Sequence, residues 1–188
     1  MPDLRAARSP PPFSIVLGLE PVPPAARYIL RGAAEVRAAA EAAAGLGIPT
    51  DACRAITHEE RAALWLGPDE WLLIAPEAEG AALAGALERA LAQLPHSLVD
   101  VSHRQSACTL QGPQAATLLA AGCPLDLDVN AFPVGMCTRT VLAKDEVVLW
   151  RTGTEAFRIE VWRSFVAYVA QFLAEAARAT QSQLETLS

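Results

Sequence analysis

The chain has 188 residues, of which 52% are hydrophobic and 19% charged, and its formal net charge is −6 at pH 7. This length suits one domain, or two small halves, with a substantial core. The acidic balance and the lack of any Lys/Arg cluster exclude nucleic acid as the expected partner, and no apolar run approaches the roughly 18 residues of a membrane-spanning helix.

The N-terminal segment and the cysteines both favour a cytoplasmic protein. Residues 1–12 are rich in proline and arginine and lack the apolar stretch of a signal peptide, so we predict a disordered arm there. The cysteines form no Cys-x-x-Cys pair, which favours reduced thiols over a zinc site or a disulfide framework. There are four of them: Cys53, Cys108, Cys123 and Cys137.

Residues 13–95 are predicted to form the first of two similar units. Glycine and proline after position 44 end an alanine-rich helix, and the turn at Gly67-Pro68 joins two apolar strands. Leucines one helical turn apart indicate a second amphipathic helix. The predicted elements are strands near 13–19 and 27–32, a helix over 33–45, a hairpin of 63–66 with 71–74, and a helix over 78–94.

Residues 96–179 repeat this pattern. The predicted elements are strands at 97–102 and 106–110, a helix opened by Gly112-Pro113, a hairpin of 146–150 with 156–162, and a last helix. Ser164 is expected to cap that helix, and its buried stripe is predicted to be Phe165, Val169, Phe172 and Ala176. Residues 180–188 form a polar tail.

The two units together predict an α+β fold. We expect a single domain over 13–179, built from two β-β-α-β-β-β-α pseudo-repeats at about 13–95 and 96–179. Each mostly antiparallel sheet is expected to carry its helices on one face.

Several motifs carry a resemblance to a known family. They are Leu66-Gly-Pro-Asp-Glu-Trp71, Asp100-Val-Ser-His-Arg104, Gly122-Cys-Pro-Leu-Asp-Leu127, Phe132-Pro-Val-Gly135 and Arg163-Ser-Phe165. Over about residues 60–178, and more loosely from 13, the chain resembles the gamma subunit of heterotetrameric sarcosine oxidase. The chain also resembles, more distantly, the folate-binding domain of the glycine-cleavage T-protein, an aminomethyltransferase. The shared features are the Asp100-Val-Ser-His103 strand end and the helix start that follows it.

The resemblance implies both a fold and a function. The T-protein domain is a duplicated α+β unit with exchanged first strands. Sarcosine oxidases of this type oxidise sarcosine to glycine, pass electrons to oxygen and transfer the one-carbon unit to tetrahydrofolate. Their alpha subunit binds NAD and carries the folate domain, the beta subunit holds FAD and FMN, and the delta subunit binds zinc. The alpha, beta and delta subunits are therefore the expected partners, and the gamma subunit is expected to be structural and noncatalytic, with no cofactor or metal of its own.

The alternative function is a stand-alone folate-binding, aminomethyltransferase-like enzyme. T-proteins carry an Asn-x-x-Gly-Gly turn before paired aspartates, whereas this chain has Thr140-Val-Leu-Ala-Lys-Asp-Glu-Val147 in that place. Asp145 and Glu146 remain weak folate candidates, but adjacent residues on a strand face opposite sides and do not form a dyad. T-proteins also continue into further domains, so the length of this chain favours the gamma subunit.

A catalytic triad at Asp100, Ser102 and His103 is disfavoured, because consecutive strand residues do not converge on one point. We expect Asp100 or Ser102 to bind backbone donors at the strand end, and His103 or Arg104 to contact a partner. Trp162, on the polar face of its strand, is a third interface candidate.

The loop from Gly122 to Gly135 is apolar for a surface segment and is predicted to dock onto a partner, with its prolines lowering the entropy lost on binding. The alternative, a loop packed against its own sheet, stays open. Its interface candidates are Leu125, Phe132 and Pro133.

Overall fold

The structure is a computed structural model that describes residues 18–187, with side chains as far as residue 180. Its first unit contains β1 Leu19–Pro21, β2 Ala25–Gly32, α1 Ala34–Ala44, β3 Ala55–His58, β4 Arg61–Gly67, β5 Glu70–Pro76 and α2 Gly80–Leu91. Its second unit contains β6 His96–Asp100, β7 Gln105–Gln111, α3 Ala115–Ala120, β8 Cys137–Leu142, β9 Asp145–Gly153, β10 Ala156–Trp162 and α4 Val166–Leu187. The predicted β-β-α-β-β-β-α order is confirmed in both units. The predicted arm at 1–12, and most of the strand predicted near 13–19, lie outside the described residues.

The ten strands form two antiparallel sheets, with the orders β3-β4-β5-β2-β6 and β1-β7-β10-β9-β8. The first strand of each unit lies in the sheet of the other unit. β1 pairs with β7, with Leu19 opposite Leu110, and β6 pairs with β2, with Asp100 opposite Tyr28. The expected strand exchange is therefore present, and it connects the two pseudo-repeats.

The elements form four layers: α1 and α2, the first sheet, the second sheet, then α3 and α4. The side chains of β2 alternate between the two layers that cover the first sheet. Tyr28 and Leu30 pack toward α1 and α2, whereas Ile29 faces the second sheet. The second sheet likewise directs Phe157 and Ile159 toward α3 and α4. Leu64 and Leu72 of the first sheet meet Val148 and Trp150 of the second in an apolar cluster between the sheets.

Two helices differ in detail from the prediction. α4 begins at Val166, because Arg163–Phe165 forms a 3-10 turn that contains Ser164. The tighter 3-10 winding changes the phase of the chain at this point. Of the predicted stripe, Val169 is buried, Phe172 and Ala176 are partly buried, and Phe165 is 42% exposed. The buried stripe is Val169, Leu173 and Ala177. α3 starts at Ala115, because Pro113 is used in a turn closed by a hydrogen bond from the Ala115 N–H to the Gly112 carbonyl.

α4 continues to Leu187, through most of the segment predicted as a polar tail. Within residues 18–187 no helix, α4 included, has the length and apolar character needed to cross a bilayer.

Candidate functional site

The polar face of β10 is buried between the two sheets. Arg27 Nε donates a hydrogen bond to Glu160 Oε2 at 2.6 Å, and Arg158 Nε donates to Glu160 Oε1 at 2.8 Å. The side chains of Arg27 and Glu160 are 2% and 0% exposed. The alternation of Arg158, Glu160 and Trp162 in the sequence shows only that they share a face. It indicates neither the sheet that covers Glu160 nor the role of Arg27.

At the end of this layer, Arg104 and Trp162 stack on one another. The guanidinium carbon of Arg104 lies 4.4 Å from the centroid of the Trp162 ring, a cation–π contact. β10 ends beside the start of β7, with Trp162 opposite Gln105, and the Arg163 N–H donates to the Arg104 carbonyl at 2.8 Å. His103, also exposed, is the neighbour of Arg104 in the chain. The fold thus brings His103, Arg104 and Trp162 together at one edge, which we call the Trp162 edge.

A small polar cleft of about 30 Å³ lies beside the Trp162 edge. Its polar lining consists of Arg104, Gln105, Arg139, Glu146 and Glu160. Gln105 is 9% exposed, and its Oε1 has no hydrogen-bond partner in the structure. A space of this size accepts a water molecule. It is far smaller than the roughly 300–1,000 Å³ of a typical organic ligand pocket.

The two folate candidates do not share a site. Asp145 is buried at the start of β9, where burial raises the pKa of its carboxyl group, and its Oδ2 has no hydrogen-bond partner. Glu146 is exposed and lines the cleft. The two carboxylates therefore lie in different environments, as the alternation of strand side chains requires.

The Asp100-Val-Ser-His strand end fixes the crossing of the chain from one sheet to the other. Ser102 Oγ accepts a hydrogen bond from the Arg27 N–H at 2.9 Å, and Asp100 Oδ1 accepts one from the Ser102 N–H at 2.8 Å. The hydroxyl group and then the N–H of Ser102 hold the pKa of the Asp100 carboxyl below its usual range. These hydrogen bonds to the backbone give Asp100 and Ser102 a structural role.

The loop from Gly122 to Gly135 packs partly into the core of its own unit. Phe132 is 2% exposed and belongs to the buried cluster under α3 and α4. Arg151 Nη1 donates to the carbonyls of Leu127 and Phe132, at 3.2 and 2.7 Å. Arg151 is itself 3% exposed and lies 4.6 Å from the Phe157 ring.

Phe132 is therefore unavailable as a surface contact, and the sequence-based choice of it was wrong. The physical reason is Arg151. Its guanidinium group donates hydrogen bonds to the loop carbonyls and so offsets the free-energy cost of burying them. Nothing in the loop sequence identifies that donor, which lies on β9. Leu125 and Pro133 remain partly exposed.

The loop and the Trp162 edge lie at opposite ends of the second sheet. β10 starts at Ala156, opposite Gln111, and ends at Trp162, opposite Gln105. The seven-residue strand is about 20 Å long at roughly 3.3 Å per residue. At the loop end, an open depression of about 570 Å³ is lined by α3, the loop and the β9–β10 turn. The two sets of interface candidates therefore belong to separate surfaces.

Comparison with known proteins places this fold in a family. Residues 31–179 match the model of the sarcosine oxidase, gamma subunit family. Sarcosine oxidase subunit gamma of Corynebacterium sp. (strain P-1) is 41% identical over 140 residues, which cover 74% of this chain and 68% of the relative.

The chain belongs to the sarcosine oxidase gamma subunit family. A chain of the heterotetrameric sarcosine oxidase of Corynebacterium sp. U-96, solved with pyrrole 2-carboxylate, superimposes with a TM-score of 0.79 at 37% identity, covering 84% of this chain and 82% of that one. The glycine cleavage aminomethyltransferase T of Bartonella henselae gives a TM-score of 0.62 at 17% identity, covering 83% of this chain and 45% of that one. The second likeness shows a common fold. Both resemblances found in the sequence are confirmed.

Proposed function

We propose that this member of the gamma subunit family works within a heterotetrameric sarcosine oxidase, assembled with alpha, beta and delta subunits. The observation that carries the proposal is the family match across residues 31–179. The complex would demethylate sarcosine oxidatively to glycine and transfer the one-carbon unit to tetrahydrofolate. FAD, FMN, NAD and zinc belong to its other subunits. The four cysteines are free thiols, which favours the cytoplasm as its location.

The chain itself takes a structural, noncatalytic role in this proposal. Asp145 and Glu146, its two folate candidates, lie on opposite faces of β9. The cleft that Glu146 lines holds about 30 Å³, too little for a pterin. The Asp100 and Ser102 side chains are engaged by backbone groups. These observations favour a protein that acts by contact with its partners.

The Trp162 edge is the contact surface that we propose first. Trp162 is 40% exposed although a sheet residue of this size usually buries its ring, and Arg104 holds the ring in place. Tryptophan and arginine are the residue types most enriched among energetic hot spots of protein interfaces. Phe165 and Tyr168, 42% and 37% exposed, follow Trp162 along the chain. Leu125 and Pro133, at the far end of the sheet, form a second and smaller candidate contact.

Co-purification tests both the proposed subunit role and the Trp162 edge as the contact surface. A tagged chain, co-expressed with the alpha, beta and delta subunits of a heterotetrameric sarcosine oxidase, should recover them together with their flavin absorbance. Trp162→Asp should remain folded by circular dichroism yet recover less than a tenth of the flavin. Ile56→Asp, at an equally exposed position on β3, is the matched control and should assemble normally.

Different results would reject the contact surface and the subunit role. Normal assembly of Trp162→Asp would exclude the Trp162 edge from the interface. A folded wild-type chain that recovers none of the three subunits would reject the subunit role itself.

A further inference from the structure

Two of the four cysteines lie on neighbouring backbone segments at the junction of the two units. Arg54, just before β3, forms an isolated antiparallel bridge with Met136, just before β8. The neighbouring residues on one side of this bridge are Cys53 and Cys137. The Cys137 N–H donates to the Cys53 carbonyl at 2.9 Å, and on the other side the Ala55 N–H donates to the Gly135 carbonyl at 2.9 Å. One step along each segment from this bridge, Cys53 and Cys137 are opposite one another and joined by one backbone hydrogen bond.

Opposed residues of this kind meet the distance requirement of a disulfide. Residues in a hydrogen-bonded antiparallel pair have Cα atoms about 5.5 Å apart, and disulfides join Cα atoms about 4.4–6.8 Å apart. The Cys53 thiol also acts electrostatically on the Cys137 thiol. Burial raises the pKa of the Cys137 thiol to about 12, and the nearby Cys53 thiol is a further cause of the increase.

The two thiols differ in their access to solvent. Cys137 is 0% exposed within the layer between the sheets, whereas Cys53 is partly exposed. Cys53 also has a positive φ of 58°, an uncommon backbone conformation for a residue with a side chain. Cys108 and Cys123 are buried in the core of the second unit and are not opposed to another cysteine in a strand pair.

We propose that Cys53 and Cys137 form a peroxide-sensitive pair, in which the accessible thiol is oxidised first and the buried thiol then closes a disulfide between the two units. The modification is reversible by thiol reductants. It links the segment that leads into β3 of the first sheet with β8 of the second sheet.

Hydrogen peroxide is the oxidant, and one molecule of it is consumed for each disulfide formed. The Cys53 thiolate attacks one peroxide oxygen, the O–O bond breaks, and the departing hydroxide takes a proton to become water, which leaves a sulfenic acid. The Cys137 sulfur then attacks the Cys53 sulfur. The S–O bond breaks, and the second hydroxide takes the Cys137 proton. Two thiols are oxidised to one disulfide, and one peroxide is reduced to two waters.

The source of the oxidant rests on the proposed function, because two-electron reduction of oxygen by an amine-oxidising flavoenzyme generates hydrogen peroxide next to this chain. The thiol pair itself follows from the strand register. Added peroxide therefore tests it whether or not the chain assembles with the proposed partners.

The experiment is peroxide titration of the reduced full-length chain, with thiol counting and non-reducing peptide mapping by mass spectrometry. We expect two of the four thiols to be lost, a mass decrease of two hydrogens, and a peptide that links Cys53 to Cys137. Dithiothreitol should restore all four thiols.

Matched variants make the result specific. Cys123→Ser, a buried control, should still close the disulfide, whereas Cys53→Ser, at a partly exposed position, should abolish it. A wild-type chain that keeps four thiols, accumulates only sulfenic or sulfinic acid at Cys53, or links either residue to another cysteine would overturn the proposal.

Discussion

The contribution of the buried ion cluster of Arg27, Arg158 and Glu160 to the free energy of unfolding can be predicted. Glu160 accepts hydrogen bonds from both Arg27 and Arg158, so it is the only anion of this three-residue cluster. Glu160→Gln keeps the shape of the side chain but leaves two guanidinium groups uncompensated in a layer where Glu160 itself is 1% exposed. Arg27→Met, by contrast, leaves Glu160 paired with Arg158. The glutamate should therefore matter more to stability than either arginine.

The sizes of the two effects follow from burial. Removing one partner of a buried ion pair costs about 3–5 kcal/mol, because the remaining charge is buried without compensation. Loss of one charge-assisted hydrogen bond, as in Arg27→Met, costs about 1.5–3 kcal/mol. Against a typical total stability of about 5–15 kcal/mol, Glu160→Gln should lower the midpoint of thermal unfolding by roughly 6–20 °C, at about 2–4 °C per kcal/mol.

Urea unfolding followed by tryptophan fluorescence at neutral pH measures these differences. Glu175→Gln is the control, because the ion pair of Glu175 with Arg178 is exposed and should contribute less than about 1 kcal/mol. A Glu160→Gln cost below about 1 kcal/mol would mean that water reaches the cluster. A larger cost for Arg27→Met than for Glu160→Gln would refute the shared-anion reasoning.

Three further predictions concern the loop from Gly122 to Gly135 and the ion pair between Glu70 and Arg139. Phe132→Ala should cost about 3–5 kcal/mol in urea unfolding, whereas Val134→Ala, at a side chain 49% exposed, should change stability by less than about 0.5 kcal/mol. The hydrogen bond from Arg139 holds the pKa of Glu70 below its ordinary 4.5, so their pair stabilises the fold above that pH and the contribution disappears as pH falls. Arg139→Gln should therefore lower the thermal midpoint more at pH 7 than at pH 3, and an equal loss at both would contradict this. Arg151→Met removes the donor to both loop carbonyls and should accelerate hydrogen exchange in residues 122–135, as measured by mass spectrometry.

The element order was predictable because its signals are local. The turn at Gly67-Pro68, the glycines that end α1 and the period-2 alternation of β10 each act within a few residues. The boundaries of α3 and α4 were less accurate, because Pro113 and Ser164 occupy turns that precede the helices. Local patterns identify such residues as helix starters without fixing which turn they enter.

The site was less predictable because its contacts join distant residues. Arg158 and Glu160 alternate as a polar face, a pattern that usually indicates exposure to solvent. What covers them is a second sheet that carries Arg27, 133 residues before Glu160. Phe132 shows the same difficulty, since an apolar loop fits a partner or its own core equally well. Only the position of Arg151 decides between them.

The exchange of β1 and β6 between the sheets has a consequence for folding. Neither unit has a complete sheet of its own, because each lacks the edge strand that the other supplies. A chain cut between residues 95 and 96 would yield two fragments that each expose an unpaired strand edge, at β7 and at β2, a surface prone to association with other chains. Mixed together, such fragments should complement one another. We therefore expect the two halves of the intact chain to unfold in one concerted transition, even though each has the same order of strands and helices.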